Sequence, residues 1–276
     1  MGPDYDHLGR GLARALEAFL EPDEARAEAR CWLEEGLGRP RAWLAAHGAD
    51  PVDPEDARRV RAWLERRRKG EPWSYIVGWA PFRGRRFQVG PDALIPRPET
   101  EMVLEAALEV GRRLGVLHAT DVGTGSGILA VCMALETDWE VVASDLSPGA
   151  LAVARANAAR LGARVRFFQG DLLAAVPDPV GLVVANPPYV DPADAPGLQR
   201  ELAFEPASAL FAQDRGLALA SALLGQAFAR SAPGCVLEIG AGQGGELRAR
   251  ALAAGWRRVT VHQDLAGHDR VLMTLR

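Results

Sequence analysis

The chain has 276 residues, 25% of them charged and 48% hydrophobic, with a formal net charge of −4. That usage describes a globular protein with room for one large domain, or for a small domain beside a medium one, and it supplies no overall polycation for coating nucleic acid. The three cysteines, Cys31, Cys132 and Cys235, lie far apart with no C-x-x-C pair, so neither a disulfide framework nor a zinc site is expected and a reducing cytoplasm fits. The first residues carry no basic region followed by an apolar stretch, and no apolar run approaches the ~18 residues needed to cross a bilayer, so no targeting signal or membrane span is expected.

From Leu8 to about Arg68 apolar residues recur at helical spacing, as in Leu12, Leu16, Phe19 and Leu20 and later Val60, Trp63 and Leu64. Breaks at Glu21-Pro22, Gly36 to Pro40 and Gly48 to Pro54 divide the stretch into about four short helices. A small helical-bundle domain over residues 1–72 is expected, with its tryptophans in the core. From Glu71 to Pro98 Gly and Pro recur, and YIVGW and RRFQV read as short strands around a turn at Arg83-Gly84. Residues 73–95 are therefore taken as a β-hairpin linker. Its arginines, with Arg66 to Lys69 before it, form the one basic cluster of the chain, either a solvated turn or a surface for docking a partner.

Beyond Glu99 strands and helices alternate, the signature of an α/β parallel sheet over residues 96–276. Helix Glu99–Leu114, strand Ala119–Val122, helix Ile128–Leu135, strand Glu140–Ser144, helix Pro148–Leu161 and strands Val165–Gln169 and Gly181–Ala185 come first. A helical stretch Gly216–Arg230, strand Cys235–Ile239, helix Gly245–Ala254 and strands near Val259–His262 and Val271–Leu275 complete seven strands.

DVGTGSG, Asp121 to Gly127, joins the first of these strands to its helix. Alternate glycines let the backbone bend sharply and bring a ligand against the helix N-terminus. The dinucleotide pattern G-x-G-x-x-G fails, because its last glycine would fall on Ile128. The G-x-G-x-G form of Gly123, Thr124, Gly125, Ser126 and Gly127 instead resembles the first motif of S-adenosylmethionine (SAM) dependent methyltransferases. Asp145, ending the next strand, can accept both hydroxyls of a ribose. Asp171 and Leu172, one strand further, offer an acceptor and apolar packing to an adenine. A second glycine-rich stretch, LEIGAGQGGE from Leu237, has only two strands after it and reads as a strand-to-helix turn, with Asp264 and His268 in a nearby surface turn.

VVANPPYVDP, Val183 to Pro192, holds one of only two asparagines in the chain. It ends the fourth strand, counted from Ala119, and so faces the crevice of the glycine loop. Pro187 and Pro188 fix φ and turn carbonyl oxygens outward, Asn186 adds a side-chain acceptor, and Tyr189 offers a flat face. Together these suit a planar NH₂ group, amide or exocyclic amine. Such a nitrogen is a poor nucleophile that must be aimed at the methyl carbon, and neither a prior general base nor a metal is required.

With NPPY placed, the sequence resembles the PrmC/HemK family over nearly its whole length, through EPWSYIVGWAPFRGRRFQV, LIPRPETE (Leu94 to Glu101), DVGTGSG, NPPYV, FEPASAL (Phe204 to Leu210) and GHDRV. The resemblance implies a seven-stranded, class I Rossmann-like SAM methyltransferase domain behind the helical domain and hairpin. It implies methylation of the N5 amide nitrogen of the glutamine in the Gly-Gly-Gln motif of peptide chain release factors, in translation termination. Gly123 to Gly127, Asp145, Asp171, Leu172 and Asn186 would bind SAM, and Asn186 to Tyr189 would hold the glutamine amide. The helical domain would recognise the substrate. A cytoplasmic monomer acting on protein, with no direct nucleic-acid or membrane partner, is the expectation. An adenine-N6 nucleic-acid methyltransferase and a non-catalytic SAM-binding module are the alternatives. Arg97, Pro98 and Glu99 read as a helix start, with Glu99 and Glu101 favoured by the helix dipole and a role in closing the pocket as the lesser alternative, and Glu205-Pro206 as a brace behind NPPY.

Overall fold

In a computed structural model residues 3–276 are described, and the chain divides into two compact units, Met1–Val77 and Gly78–Arg276. The first is helical: α1 (Tyr5–Leu16), α2 (Pro22–Cys31), α3 (Arg41–His47), α4 (Pro54–Arg68) and α5 (Trp73–Val77). The breaks expected from the sequence act as helix starts. Pro22 occupies the first turn of α2, and Asp53 accepts from the Glu55 amide while Pro54 occupies the first turn of α4. The tryptophans are core residues. Trp32 is fully buried, stacked on Trp73 at 4.6 Å between ring centroids and edge-on to Trp63 at 5.9 Å.

The strand expected at YIVGW is displaced. Trp73–Val77 is helical because Pro72 opens a turn whose carbonyl accepts from the Tyr75 and Ile76 amides. Gly78, at φ 82°, ends that turn, and extended backbone begins only at Trp79. Strands β1 (Trp79–Phe82) and β2 (Arg85–Gln88) then pair around Arg83 and Gly84, whose φ values of 50° and 67° give the left-handed two-residue turn that suits a hairpin. The hairpin lies within the second unit. Asn157, fully buried, accepts from the Gln88 amide at 2.7 Å and donates to the Gln88 and Ser126 carbonyls at 2.9 Å each. One of the two asparagines therefore locks the hairpin to the helix carrying it.

The second unit continues with α6 (Thr100–Leu114), β3 (His118–Val122), α7 (Ile128–Glu136), β4 (Glu140–Asp145), α8 (Pro148–Leu161), β5 (Val165–Gln169) and β6 (Leu182–Ala185). It closes with α9 (Ala207–Leu210), α10 (Ala218–Ala229), β7 (Gly234–Glu238), α11 (Gly244–Ala253), β8 (Arg258–Gln263) and β9 (Asp269–Leu275). The seven strands order as β5-β4-β3-β6-β7-β9-β8, parallel except for β9, which runs antiparallel to both neighbours. Strand β6 reads LVVA without alternation because both faces are covered. Leu182 and Val184 pack with α6 and α7, and Val183 and Ala185 with α10 and α11. The order reverses between β3 and β6, and an open α/β sheet presents its crevice at such a point.

The basic cluster is largely neutralised from within. Arg66 pairs with Glu71 and the buried Arg67 with Glu28 in the first unit, while Arg83 and Arg85 both reach Glu136 in the second.

Candidate active site

At the C-terminal ends of β3 and β6 lies a cavity of about 370 Å³, within the ~300–1,000 Å³ usual for small-molecule sites. Of the residues singled out from the sequence, Gly123 to Ser126, Asp145, Asp171, Leu172, Asn186 and Pro188 line it. Gly127, Pro187 and Tyr189 lie outside that lining. Gly127 instead packs against α8, where a Cβ would stand 3.1 Å from the Ala154 Cβ.

The glycine loop is held from below. The Gly123 and Thr124 amides donate to the Ser144 carbonyl at 2.8 and 3.0 Å, tying the loop to β4. Gly123 and Gly125 have φ of 69° and 54°, and a Cβ built on either meets nothing within 4 Å. Side chains there would project into open space. Asp145 is fixed at the neighbouring strand end, accepting from the Gly125 amide at 2.9 Å and the Ser147 amide at 2.8 Å. Both oxygens keep a lone pair for a ligand hydroxyl.

Leu172 adopts φ 47°, a left-handed backbone that a leucine takes only at a cost of about 1–3 kcal/mol. Its carbonyl accepts from the Ser144 hydroxyl at 2.9 Å, and its side chain joins the cavity wall. Leu146 lines the same cavity yet is 66% exposed. An apolar residue straight after Asp145, at a turn where polar residues are usual, was the available signal for it. These groups fit an adenosine: a carboxylate for ribose hydroxyls, apolar faces for the base, and a glycine loop clear of Cβ atoms.

Asp121 stands behind the loop. Its Oδ2 accepts from the Thr124 hydroxyl at 2.6 Å and the Ala130 amide at 3.0 Å, while its buried Oδ1 has no partner among the described residues. Burial pushes its carboxyl up to about 7. Between roughly pH 4 and 7 the folded chain therefore binds a proton that the unfolded chain releases, and stability falls as pH rises through that window. A difference of about three pH units corresponds to roughly 4 kcal/mol. Asp121→Asn removes this dependence, so its stability relative to the parent should rise from pH 4 to pH 7 in denaturant titrations; parallel profiles would contradict it.

The cavity has a second wall, the lesser of the two readings that the sequence allowed for Arg97. Leu94, Ile95, Arg97 and Thr100 line it, as do Pro206 and Ser208. Glu205 joins these segments: nearly fully buried, it accepts from the Ile95 amide at 3.0 Å and from Arg97 at 2.5 Å. Two expectations are corrected here. Glu205 braces LIPRP rather than the back of NPPY, because the backbone amide and guanidinium that can neutralise it lie there. The helix starts at Thr100, Glu99 makes no side-chain cap bond among the described residues, and Arg97 is ion-paired at the cavity wall.

Behind NPPY stands the stretch from Leu237. It is a strand-to-helix turn, and it also supports the site. Gln243 Nε2 donates to the Tyr189 carbonyl at 3.0 Å, and the Tyr189 hydroxyl donates to Glu238 at 3.2 Å. Burial pushes the Tyr189 phenol above the ordinary range, with the Glu238 charge adding to it. Glu238, itself buried, also accepts from the Thr100 hydroxyl at 2.6 Å, and the Asn186 Nδ2 lies 3.2 Å from that hydroxyl. Among the described residues no group of three or more His, Cys, Asp or Glu is arranged to hold a metal, and no helix is long and apolar enough to cross a membrane.

Residues 12–78 match the PrmC N-terminal domain family and residues 103–210 the methyltransferase small domain family. The release factor glutamine methyltransferase of Bordetella pertussis is 44% identical, aligned over 92% of this chain and 96% of its own length. That of Deinococcus radiodurans is 38% identical over 98% of each. The chain belongs to the release factor glutamine methyltransferase family. Among solved structures, the catalytic domain of human METTL16 in complex with a MAT2A 3'UTR hairpin shares the fold, at 14% identity, 81% and 82% coverage and a TM-score of 0.58. Membership of the glutamine methyltransferase family makes SAM the cofactor, and the glycine loop, Asp145 and two leucines that line the cavity have the chemistry to fit its adenosine.

Proposed function

We propose that this chain transfers a methyl group from SAM to the side-chain amide nitrogen (N5) of the glutamine in the Gly-Gly-Gln motif of peptide chain release factors. The observation that carries the reading is the setting of Asn186. It stands just past the end of β6 in the cavity wall, and its NH₂ is directed to Thr100, which leaves its Oδ1 free to accept. A carboxamide NH₂ entering the cavity meets an acceptor there rather than a second donor.

Bound SAM supplies an electrophilic methyl carbon on a sulfonium. The protein's task is orientation. Asn186 Oδ1 and the carbonyl oxygens of the proline turn take the N–H bonds of the glutamine amide, which fixes its lone pair in line with the methyl carbon and stabilises positive charge as it develops. The methyl's bond to sulfur would break as its bond to nitrogen forms, leaving S-adenosylhomocysteine, and one amide proton, acidic once the nitrogen carries the methyl, would pass to water. Gly123 to Ser126, Asp145, Asp171, Leu172 and Asn186 hold the cofactor, Gly127 seats the end of the loop against α8, and Asn186 to Tyr189 form the substrate turn. In that turn Asn186 and Pro188 face the cavity, while Pro187 and Tyr189 hold its shape from behind.

The helical unit serves substrate recognition, and the unit that begins at Gly78, with the hairpin as its first element, carries the chemistry. The enzyme acts as a monomer, and the acceptor is protein rather than nucleic acid. Release factors act in the cytoplasm, and so does this enzyme.

Incubation with methyl-labelled SAM and release factor, release factor with its motif Gln changed to Ala, or DNA and RNA, tests the reading. Label is expected in the first alone. Label in nucleic acid, or label that survives the Gln→Ala change, would overturn it.

A further inference from the structure

We propose that Glu238 is a positioning residue for methyl transfer: through the Thr100 hydroxyl it fixes which face of the Asn186 amide meets the substrate. The inference rests on the proposed function and deepens it.

Glu238 ends β7, the strand beside β6, where Ala185 pairs with Leu237. One buried carboxylate thus holds both ends of the NPPY turn. Its Oε2 takes the Thr100 hydroxyl at 2.6 Å and its Oε1 the Tyr189 hydroxyl at 3.2 Å. A threonine hydroxyl has one proton and two lone pairs. With the proton committed to a carboxylate at so short a distance, Thr100 can only accept from Asn186. The Asn186 NH₂ must face Thr100, and its Oδ1 must face the cavity. Reversing the relay would turn the Asn186 NH₂ toward the substrate NH₂, donor against donor, and the nitrogen would no longer be aimed.

Every residue of β7 is buried, and an apolar side chain at its end would avoid the desolvation cost of a carboxylate. Burial raises the Glu238 carboxyl above the ordinary range. Glu99 adds to that, while the Thr100 and Tyr189 hydroxyls and Arg270 act against it. A protonated Glu238 can donate to Thr100 and reverse the relay, so kcat should fall on the acid side at a pH above the usual carboxylate range.

The chain's two asparagines make the test direct. Asparagine-selective ¹⁵N labelling yields side-chain NH₂ signals from Asn157 and Asn186 alone, so the Asn186 amide can be followed with no substrate present. Its protons are expected downfield and slow to exchange in the parent and in Thr100→Ser, which keeps the relay. In Thr100→Val and Glu238→Leu that protection is expected to be lost. In turnover on release factor those two variants should lose about 10²-fold in kcat with a much smaller change in the SAM Kd, and the double variant should lose no more than either. Glu238→Gln keeps a carbonyl for Thr100 and an NH₂ for Tyr189, so it should stay within about tenfold of the parent at neutral pH while losing the acid limb.

An Asn186 signal unchanged in Glu238→Leu, parent-like kcat in that variant, SAM affinity falling in step with kcat, or an acid limb persisting in Glu238→Gln would each overturn the inference. Parent enzyme inactive on release factor would instead refute the proposed function, and the amide signals would still decide the relay.

Discussion

Asn186→Ala is expected to lower kcat by at least about 10³-fold while SAM binding stays measurable. A single preorganised group aimed at charge developing in a transition state is worth about 10²–10³-fold. Asn186 also sets the direction of a nitrogen that has little nucleophilicity of its own, which adds an orientation term. The cavity floor does not depend on it: Asp145 is held by the Gly125 and Ser147 amides and the loop by the Ser144 carbonyl. Single-turnover rates with labelled SAM, beside calorimetric SAM titration, separate the two effects. Unchanged turnover would show that another group aims the acceptor. Equal loss of SAM affinity and of rate would make Asn186 a cofactor ligand only.

Gly125→Val is expected to weaken SAM binding by at least about 10²-fold while leaving the protein folded. Its φ of 54° would force a β-branched residue into left-handed backbone, at about 1–3 kcal/mol. The added side chain would also project into the open space of the cavity, where the cofactor belongs, and about 2.8 kcal/mol is already a hundredfold in Kd. Gly127→Ala is the contrast. At φ 84°, with its Cβ 3.1 Å from the Ala154 Cβ and 3.2 Å from the Ala154 Cα, it would strain the contact with α8 and lower the melting temperature. Calorimetry and thermal melts on both variants distinguish the roles. A Gly125→Val protein with parent-like SAM affinity would place the cofactor elsewhere.

What the sequence made legible follows the range of the interactions. Helical and strand periodicity, strand-end carboxylates and the glycine loop are local patterns, and the α/β architecture with its seven strands emerged from them. The two asparagines were conspicuous for their scarcity, and both are spent on directed hydrogen bonds, Asn157 on the hairpin and Asn186 at the cavity. At YIVGW, β-prone residues were overridden by the turn that Pro72 opens. The Thr100–Glu238 bond joins residues 138 apart, and Glu205 reaches Arg97 and Ile95 across more than a hundred. No periodicity reports such pairs. A carboxylate closing the fully buried strand CVLE was the one local hint. Within the expected strand Cys235–Ile239 it shows no partner until β7 is seen to lie beside β6.

Mass-spectrometric mapping of the methyl group on release factor treated with this enzyme and SAM tests the central claim most directly. The account predicts one added methyl, on the side-chain amide nitrogen of the Gly-Gly-Gln glutamine, absent when Asn186→Ala enzyme is used. A methyl on a backbone nitrogen, on another side chain, or on that glutamine at undiminished rate with Asn186→Ala would contradict it.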